Sequence, residues 1–261
     1  MPAFDLLHAA VAFGAAFIAG TINSVAGGGT LVSFPALIWL GLPSVTANAT
    51  STVAIWPGSL GGMWGYRREL RSTEPRMLAL VLPSLVGGIA GALLLRWTPP
   101  AIFDRLVPFL ILFATLLFMA QEPVQRKLKT AGSEAHRSLR WLICAMLFQL
   151  LVALYGGYFG AGIGILMLAA LSILGHTDIH QMNGLKTILG SLINLVAALY
   201  FIRTGLIDWP KAGVMTVGAV SGYFLGSHYS QRIPQRRVRQ IITAIGLIIS
   251  AVLFAKQFLQ K

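Results

Sequence analysis

The sequence predicts an all-helical polytopic membrane protein made of two structural repeats, each a glycine-broken hairpin segment followed by three transmembrane helices. Composition is the first reason. The chain is 56% hydrophobic and 11% charged, with a mean hydropathy of +0.75, whereas soluble domains carry about 25% charged residues. The second is a succession of apolar runs near the roughly 17–25 residues that cross a bilayer as helix. The third is internal: a shift of 134 positions aligns residues 20–110 with 154–244 without a gap. It sets Gly28 on Gly162, Gly41 on Gly175, Tyr66 on Tyr200, Gly88 on Gly222, Pro100 on Pro234 and Arg105 on Arg239. Identities are few, but they fall on helix breakers, an interfacial tyrosine and a basic loop. Matched interruptions in duplicated halves point to a carrier whose substrate sits between the halves.

The first repeat is read as residues 1–121, a basic linker as 122–138 and the second repeat as 139–261. Residues 6–42 contain no Asp, Glu, Lys or Arg and one histidine, His8. As straight helix they would reach ~55 Å against a hydrocarbon core of ~30 Å, so the segment must break. Gly27, Gly28 and Gly29 supply the break, and Pro35 is expected to add a second irregularity. Runs at 45–65, 77–95 and 106–120 then read as ordinary spans. Residues 141–174 repeat the excess length, with Gly156, Gly157, Gly160, Gly162 and Gly164 as the breakers, and runs at 185–202, 212–227 and 241–255 follow. The first positive side chain is Arg67, so the opening run lacks the basic start of a cleaved signal and is expected to stay in the mature protein.

Orientation depends on whether each broken segment folds back, giving inverted halves, or crosses once, giving parallel ones. Both foldings divide the loop Lys and Arg residues equally well, so charge bias does not separate them. Inverted halves are favoured because a segment too long for one pass is more easily housed as two short ones. Loops 66–76 and 121–140 are cytoplasmic in either case. The net charge of +12 is spread over such loops. That placement suits the lipid bilayer as partner and gives no face for nucleic acid.

Cys144 is the only cysteine, which excludes an intramolecular disulfide and a cysteine metal cluster; a small buried hydrophobe is expected there. Trp39, Trp56, Trp64, Trp97, Trp141, Trp209, Tyr66 and Tyr200 read as an aromatic belt near span ends. His176, Asp178 and His180 have metal-like spacing but sit in a short turn without further ligands, which favours simple interface polarity. No Walker loop, His-Glu-x-x-His helix or Gly-x-Ser-x-Gly elbow occurs, so ATP-driven transport by this chain, enzymatic activity and a cofactor are not expected.

One ionisable side chain departs from the pattern. Of 20 Lys and Arg residues, Lys186 alone lies inside an apolar stretch, while Asp5, Glu69, Glu74, Asp104, Glu122, Glu134, Asp178 and Asp208 all fall outside the spans. An ammonium at membrane depth costs at least about 2.5–3.5 kcal/mol on insertion scales, so it calls for a negative, polar or wet neighbour. A small transported anion is one such neighbour. The plain alternative is snorkelling to the interface. Asn183, Thr187, Ser191 and Asn194 share a helical face with Lys186, and the matching stretch of the first half holds Asn48, Thr50, Ser51 and Thr52. Polar faces of this kind also serve as packing glue between membrane helices. The glycine breaks present backbone N–H groups and positive helix ends to whatever lies there. Asn23, Gly27, Gly28, Gly29 and Thr30 therefore join the candidate site from the first break, and Gly160 and Gly162 from the second.

At these residues the sequence resembles the sulfite exporter TauE/SafE family. The resembling stretches are AGTINSVAGGGTLVSFPALIWLGLPSVTANATST (19–52) with WGYRREL (64–70), and GGYFGAGIGILMLAALSILGHTDIHQMNGLKTILGSLINLVAALYFIRTGLIDW (156–209). The resemblance implies a multi-pass permease of the bacterial inner membrane for sulfite, sulfonates or related anions, with the family's glycine cluster at Gly27–Gly29 and its lysine and asparagine at Lys186 and Asn194. Leu185 stands where the family has threonine, which leaves one substrate donor unassigned. With no carboxylate inside the spans, uniport, coupling to Na+ and coupling to H+ through titration of Lys186 are all compatible with these residues. A non-transporting assembly factor or scaffold is the competing expectation, and it would tolerate loss of Lys186.

Overall fold

Long apolar stretches free of charge fold as helix because, in lipid, only a helix satisfies its own backbone polar groups. The computed structural model describes residues 6–25, 28–65, 75–130, 139–173, 179–229 and 235–259. Its helices, in chain order, are α1 Leu6–Val25, the short α2 Thr30–Trp39, α3 Ser44–Gly65, α4 Val81–Trp97 behind a 3-10 turn at Pro75–Leu80, and α5 Pro100–Thr130. A long helix, a short one and three long ones follow again: α6 Leu139–Tyr158, the short α7 Ile163–Ile173, α8 Ile179–Arg203, α9 Trp209–Tyr229 and α10 Gln235–Leu259. Among the described residues, Leu6–Ser24, Leu78–Trp97, Pro100–Leu117 and Gly184–Arg203 are long and apolar enough to cross a membrane. This is an all-helical membrane protein.

Contacts between helices give their directions. Gly218 of α9 lies against Phe13 of α1 and Gly226 against Thr21 and Ser24, so α1 and α9 run parallel. The Asp208 N–H, just before α9, donates to Thr50 Oγ1 at 3.1 Å, while Gly58 further along α3 meets Ala219 and Tyr223, so α3 also runs with α9. Helices α1 and α3 therefore point the same way, and α2 between them has to reverse. Asn48 Nδ2 donates to the Tyr158 carbonyl at 3.0 Å, which sets the start of α3 beside the end of α6. The opening helices α1 and α6 thus run antiparallel, a distinction that loop charge does not make.

The main pairings also exchange between the halves: α1 packs on α9 as α6 packs on α4, α3 packs on α9 as α8 packs on α4, and the pairs α3 with α8 and α5 with α10 map onto themselves. Small residues make these seams close. Gly218, Gly222 and Gly226 form a stripe on α9 against α1, and Gly87 and Gly91 one on α4 against α6.

Several sequence expectations change. Pro35 sits inside α2, which stays helical across it. Gly156 and Gly157 are within α6 and pack against neighbours, Gly157 on the backbone of Gly88; the break falls after them, at Gly160 and Gly162, which both have positive φ. Gly28, with φ 93°, marks the first break. Such φ values are open chiefly to glycine. Cys144 is exposed rather than buried, on an outer face of α6 shared with Ile143, Leu147 and Leu151, where lipid replaces a protein core.

The start of α9 has an identifiable cap. Asp208 Oδ1 accepts from the Lys211 N–H at 3.1 Å and Oδ2 from Lys211 Nζ at 2.8 Å. An aspartate at this position satisfies an N–H that has no helical partner. Asp208→Ala is expected to lower stability by about 0.5–2 kcal/mol, read as a lower melting temperature in detergent; an unchanged value would show that water caps α9 equally well.

Candidate functional site

Midway along α3 and α8, and at both glycine breaks, polar side chains surround a cavity of about 90 Å³. From α3 it is lined by Ser51, Thr52, Ile55, Trp56 and Ser59, from α8 by Lys186, Thr187, Gly190, Ser191 and Asn194. The first break contributes Asn23, Gly28 and Thr30, the second Gly160, Ile163, Gly164 and Met167, and α9 adds Tyr223. The spacings explain this convergence. Residues 52, 55, 56 and 59, and residues 186, 187, 190, 191 and 194, each share a helical face, and the two faces meet where α3 crosses α8.

Local bonds fix the frame. Asn23 Oδ1 accepts from the Gly29 N–H at 2.7 Å, stapling the first break. Tyr155 Oη donates to the Ala161 carbonyl at 2.8 Å and braces the second. Ser59 and Ser191 share a hydrogen bond of 2.9 Å across the α3–α8 crossing, and Ser33 and Ser51 one of 2.7 Å between α2 and α3. Helices α2 and α7 both begin at the cavity wall, at Thr30 and Ile163, which sets their positive ends beside it.

The Lys186 side chain runs over Gly164: a Cβ there would lie 3.2 Å from Lys186 Cδ. Among the described residues, no carboxylate pairs with Lys186; the ion pair described is that of Lys211 with Asp208. The indole Nε1 of Trp56, buried in the same wall, has no hydrogen-bond partner. Such a donor is costly to leave unmet. The cavity wall therefore holds one cation together with hydroxyl and amide groups.

Most sequence-predicted residues meet here: Asn23, Gly28, Thr30, Ser51, Thr52, Gly160, Lys186, Thr187, Ser191 and Asn194 all line the cavity. Others are placed elsewhere. Gly29 is buried against the Ala19 backbone of α1, Asn48 bonds the Tyr158 carbonyl, Thr50 accepts from Asp208, and Gly162 turns beside Ala114 of α5. These four hold helices together rather than facing the cavity. Asn183 belongs to α8, but its side chain lies outside the described residues, as do Gly27, His176 and Asp178. Trp56, Ser59, Gly164, Gly190 and Tyr223 also line the cavity without being among the site residues expected from the sequence. Trp56 lies in the cavity wall rather than in the aromatic belt, which Trp39, Trp97 and Trp209 do suit, being exposed at helix ends. The available signal was the 134-residue shift, which sets Trp56 on Gly190 and Thr52 on Lys186.

The model of the sulfite exporter TauE/SafE family matches residues 12–253. The chain belongs to this family of membrane transporters. TauE/SafE membership accounts for curated relatives that are similar over nearly their whole length. A probable membrane transporter protein of Haemophilus influenzae is 27% identical, covering 95% of this chain and 94% of the relative. The probable membrane transporter protein YfcA of Escherichia coli K12 is 28% identical over 94% and 88%. The probable membrane transporter protein ORF9 of a Sinorhizobium species is 26% identical over 97% and 94%. No solved structure matches this TauE/SafE chain at a significant level.

Proposed function

We propose that this TauE/SafE protein is a secondary transporter that moves a small sulfur-containing or organic anion across the bacterial inner membrane by alternating access. The observation that carries the reading is the Lys186 ammonium lining a polar cavity midway along α3 and α8, with no carboxylate partner among the described residues. An anion of the sulfite, thiosulfate or sulfonate class supplies the missing charge. The positive helix starts at Thr30 and Ile163, which line the same cavity as Lys186, support binding of its oxygens there. Asn194 and Asn23 add amide groups to the same wall.

Residues 1–121 and 139–261 are taken as inverted repeats, supported by the antiparallel α1 and α6 and by the exchange of helix pairings. Rocking of one packed group against the other about the cavity then exposes the anion to each side in turn. An enzyme needs a paired acid and base or a metal at depth, and a transporter does not.

The test is thermal stabilisation of the purified protein by sulfite, thiosulfate, alkanesulfonates and carboxylates. A ligand that binds the native state at 100 times its Kd raises stability by about 2.7 kcal/mol. At least one anion is expected to raise the melting temperature by several degrees above a chloride control at equal ionic strength. Identical melting curves throughout the panel would return the chain to the scaffold reading.

A further inference from the structure

We propose that Gly190 sets the size of the anion that the cavity accepts, an inference that rests on the anion-transport reading. Glycine in a helix interior costs about 1 kcal/mol relative to alanine, so its presence needs a reason. Most interhelical glycines here have one in packing: a Cβ on Gly88 would lie 2.7 Å from Val196 and one on Gly87 2.6 Å from Ala153, and neither fits. Of the cavity glycines, Gly28 and Gly160 have the positive φ that forms the breaks. Gly164 lies beneath the Lys186 stem.

Gly190 has none of these reasons. It is in the middle of α8 without a positive φ, and the nearest atoms a Cβ would meet are Ile163 Cδ1 and Met167 Sδ, both at 3.9 Å. A methyl group fits there at ordinary van der Waals distance. What it would occupy is cavity, because Gly190 is part of the wall, one turn from Lys186 and one turn from Asn194. The matched position of the first half carries Trp56, the bulkiest residue in the lining. One half therefore fills the cavity at this level and the other vacates it. The vacated volume lies beside the cation, where the non-ionic part of an organic anion has to go once its charged end is at Lys186.

The experiment compares the wild-type protein with Gly190→Ala and Gly190→Ser in detergent, deriving affinities from melting shifts with sulfite and with methane-, ethane- and propanesulfonate. One methylene more or less in a pocket changes discrimination by about 10–200-fold. Gly190→Ala is expected to keep the affinity for the smallest bound anion within about threefold and to weaken the largest one the wild type accepts by tenfold or more. Gly190→Ser should give the same size dependence despite its hydroxyl. The ligand-free melting temperature of the alanine variant should be unchanged or higher. An unaltered affinity ratio between small and large anions overturns the size role alone, as does a destabilised alanine variant, which would make Gly190 a packing residue. Failure of every anion to stabilise the wild type overturns the transport site and this inference with it.

Discussion

Replacing Lys186 by alanine is expected to abolish anion flux while leaving the fold intact. The ammonium is the charged partner of the substrate in the proposed site, and it lines the cavity beside Thr187, Ser191 and Asn194. Truncating one member of a buried hydrogen-bonded charge pair costs about 2–5 kcal/mol. That corresponds to a loss of roughly 30-fold or more in affinity. The effect on the ligand-free protein has the opposite sign. Removing a cation with no described counterion relieves a burial cost of at least about 2.5–3.5 kcal/mol, so the variant should melt at or above the wild-type temperature. Flux into proteoliposomes and melting of the same preparation read the two effects separately. Wild-type flux would return Lys186 to snorkelling, and a lower melting temperature would make it a structural lysine.

What the sequence disclosed follows from how membrane physics writes itself into residues. Charge is excluded from the bilayer, so the spans and the anomaly at Lys186 stood out against an apolar background. The polar face Thr187, Ser191 and Asn194 was legible because helical spacing alone brings those positions together. The breaks were legible to within a few residues, since a 37-residue apolar segment exceeds a bilayer whichever glycine yields. Which glycine yields was not. Gly157 and Gly160 are equally permissive in sequence, yet one is pressed against the Gly88 backbone and the other turns at φ 79°. That choice is made by a neighbouring helix far away in the chain. Trp56 shows the same limit: a tryptophan in an apolar run reads as a belt residue until α8 is packed beside it. The direction of α2 became visible only through α9, which touches both α1 and α3.

Gly222→Val is expected to destabilise the protein more than any other substitution considered. Gly222 packs on the Phe17 backbone so closely that a Cβ would overlap the Phe17 carbonyl, and that oxygen belongs to a rigid helix that has no rotamer to change. The neighbouring contacts are equally tight. The Thr21 hydroxyl lies 3.1 Å from the Gly222 carbonyl, and Gly218 and Gly226 meet α1 one turn to either side. Overpacking a well-packed core costs about 1–3 kcal/mol and occasionally more; here the strain is set by backbone against backbone, so the upper part of that range is expected. In membranes the loss is not recovered elsewhere, because helix association there depends on close packing of small residues rather than on a hydrophobic gain. Function should fall with stability, since α1 carries Asn23 and α9 carries Tyr223 into the cavity wall. The check is the melting temperature and the monodisperse fraction after solubilisation, with Gly213→Val as control, because a Cβ on Gly213 of the same helix meets nothing within 4 Å. Equal behaviour of the two variants would mean that α1 and α9 are not held by this seam, and the antiparallel placement of α1 and α6 derived from it would lose its support.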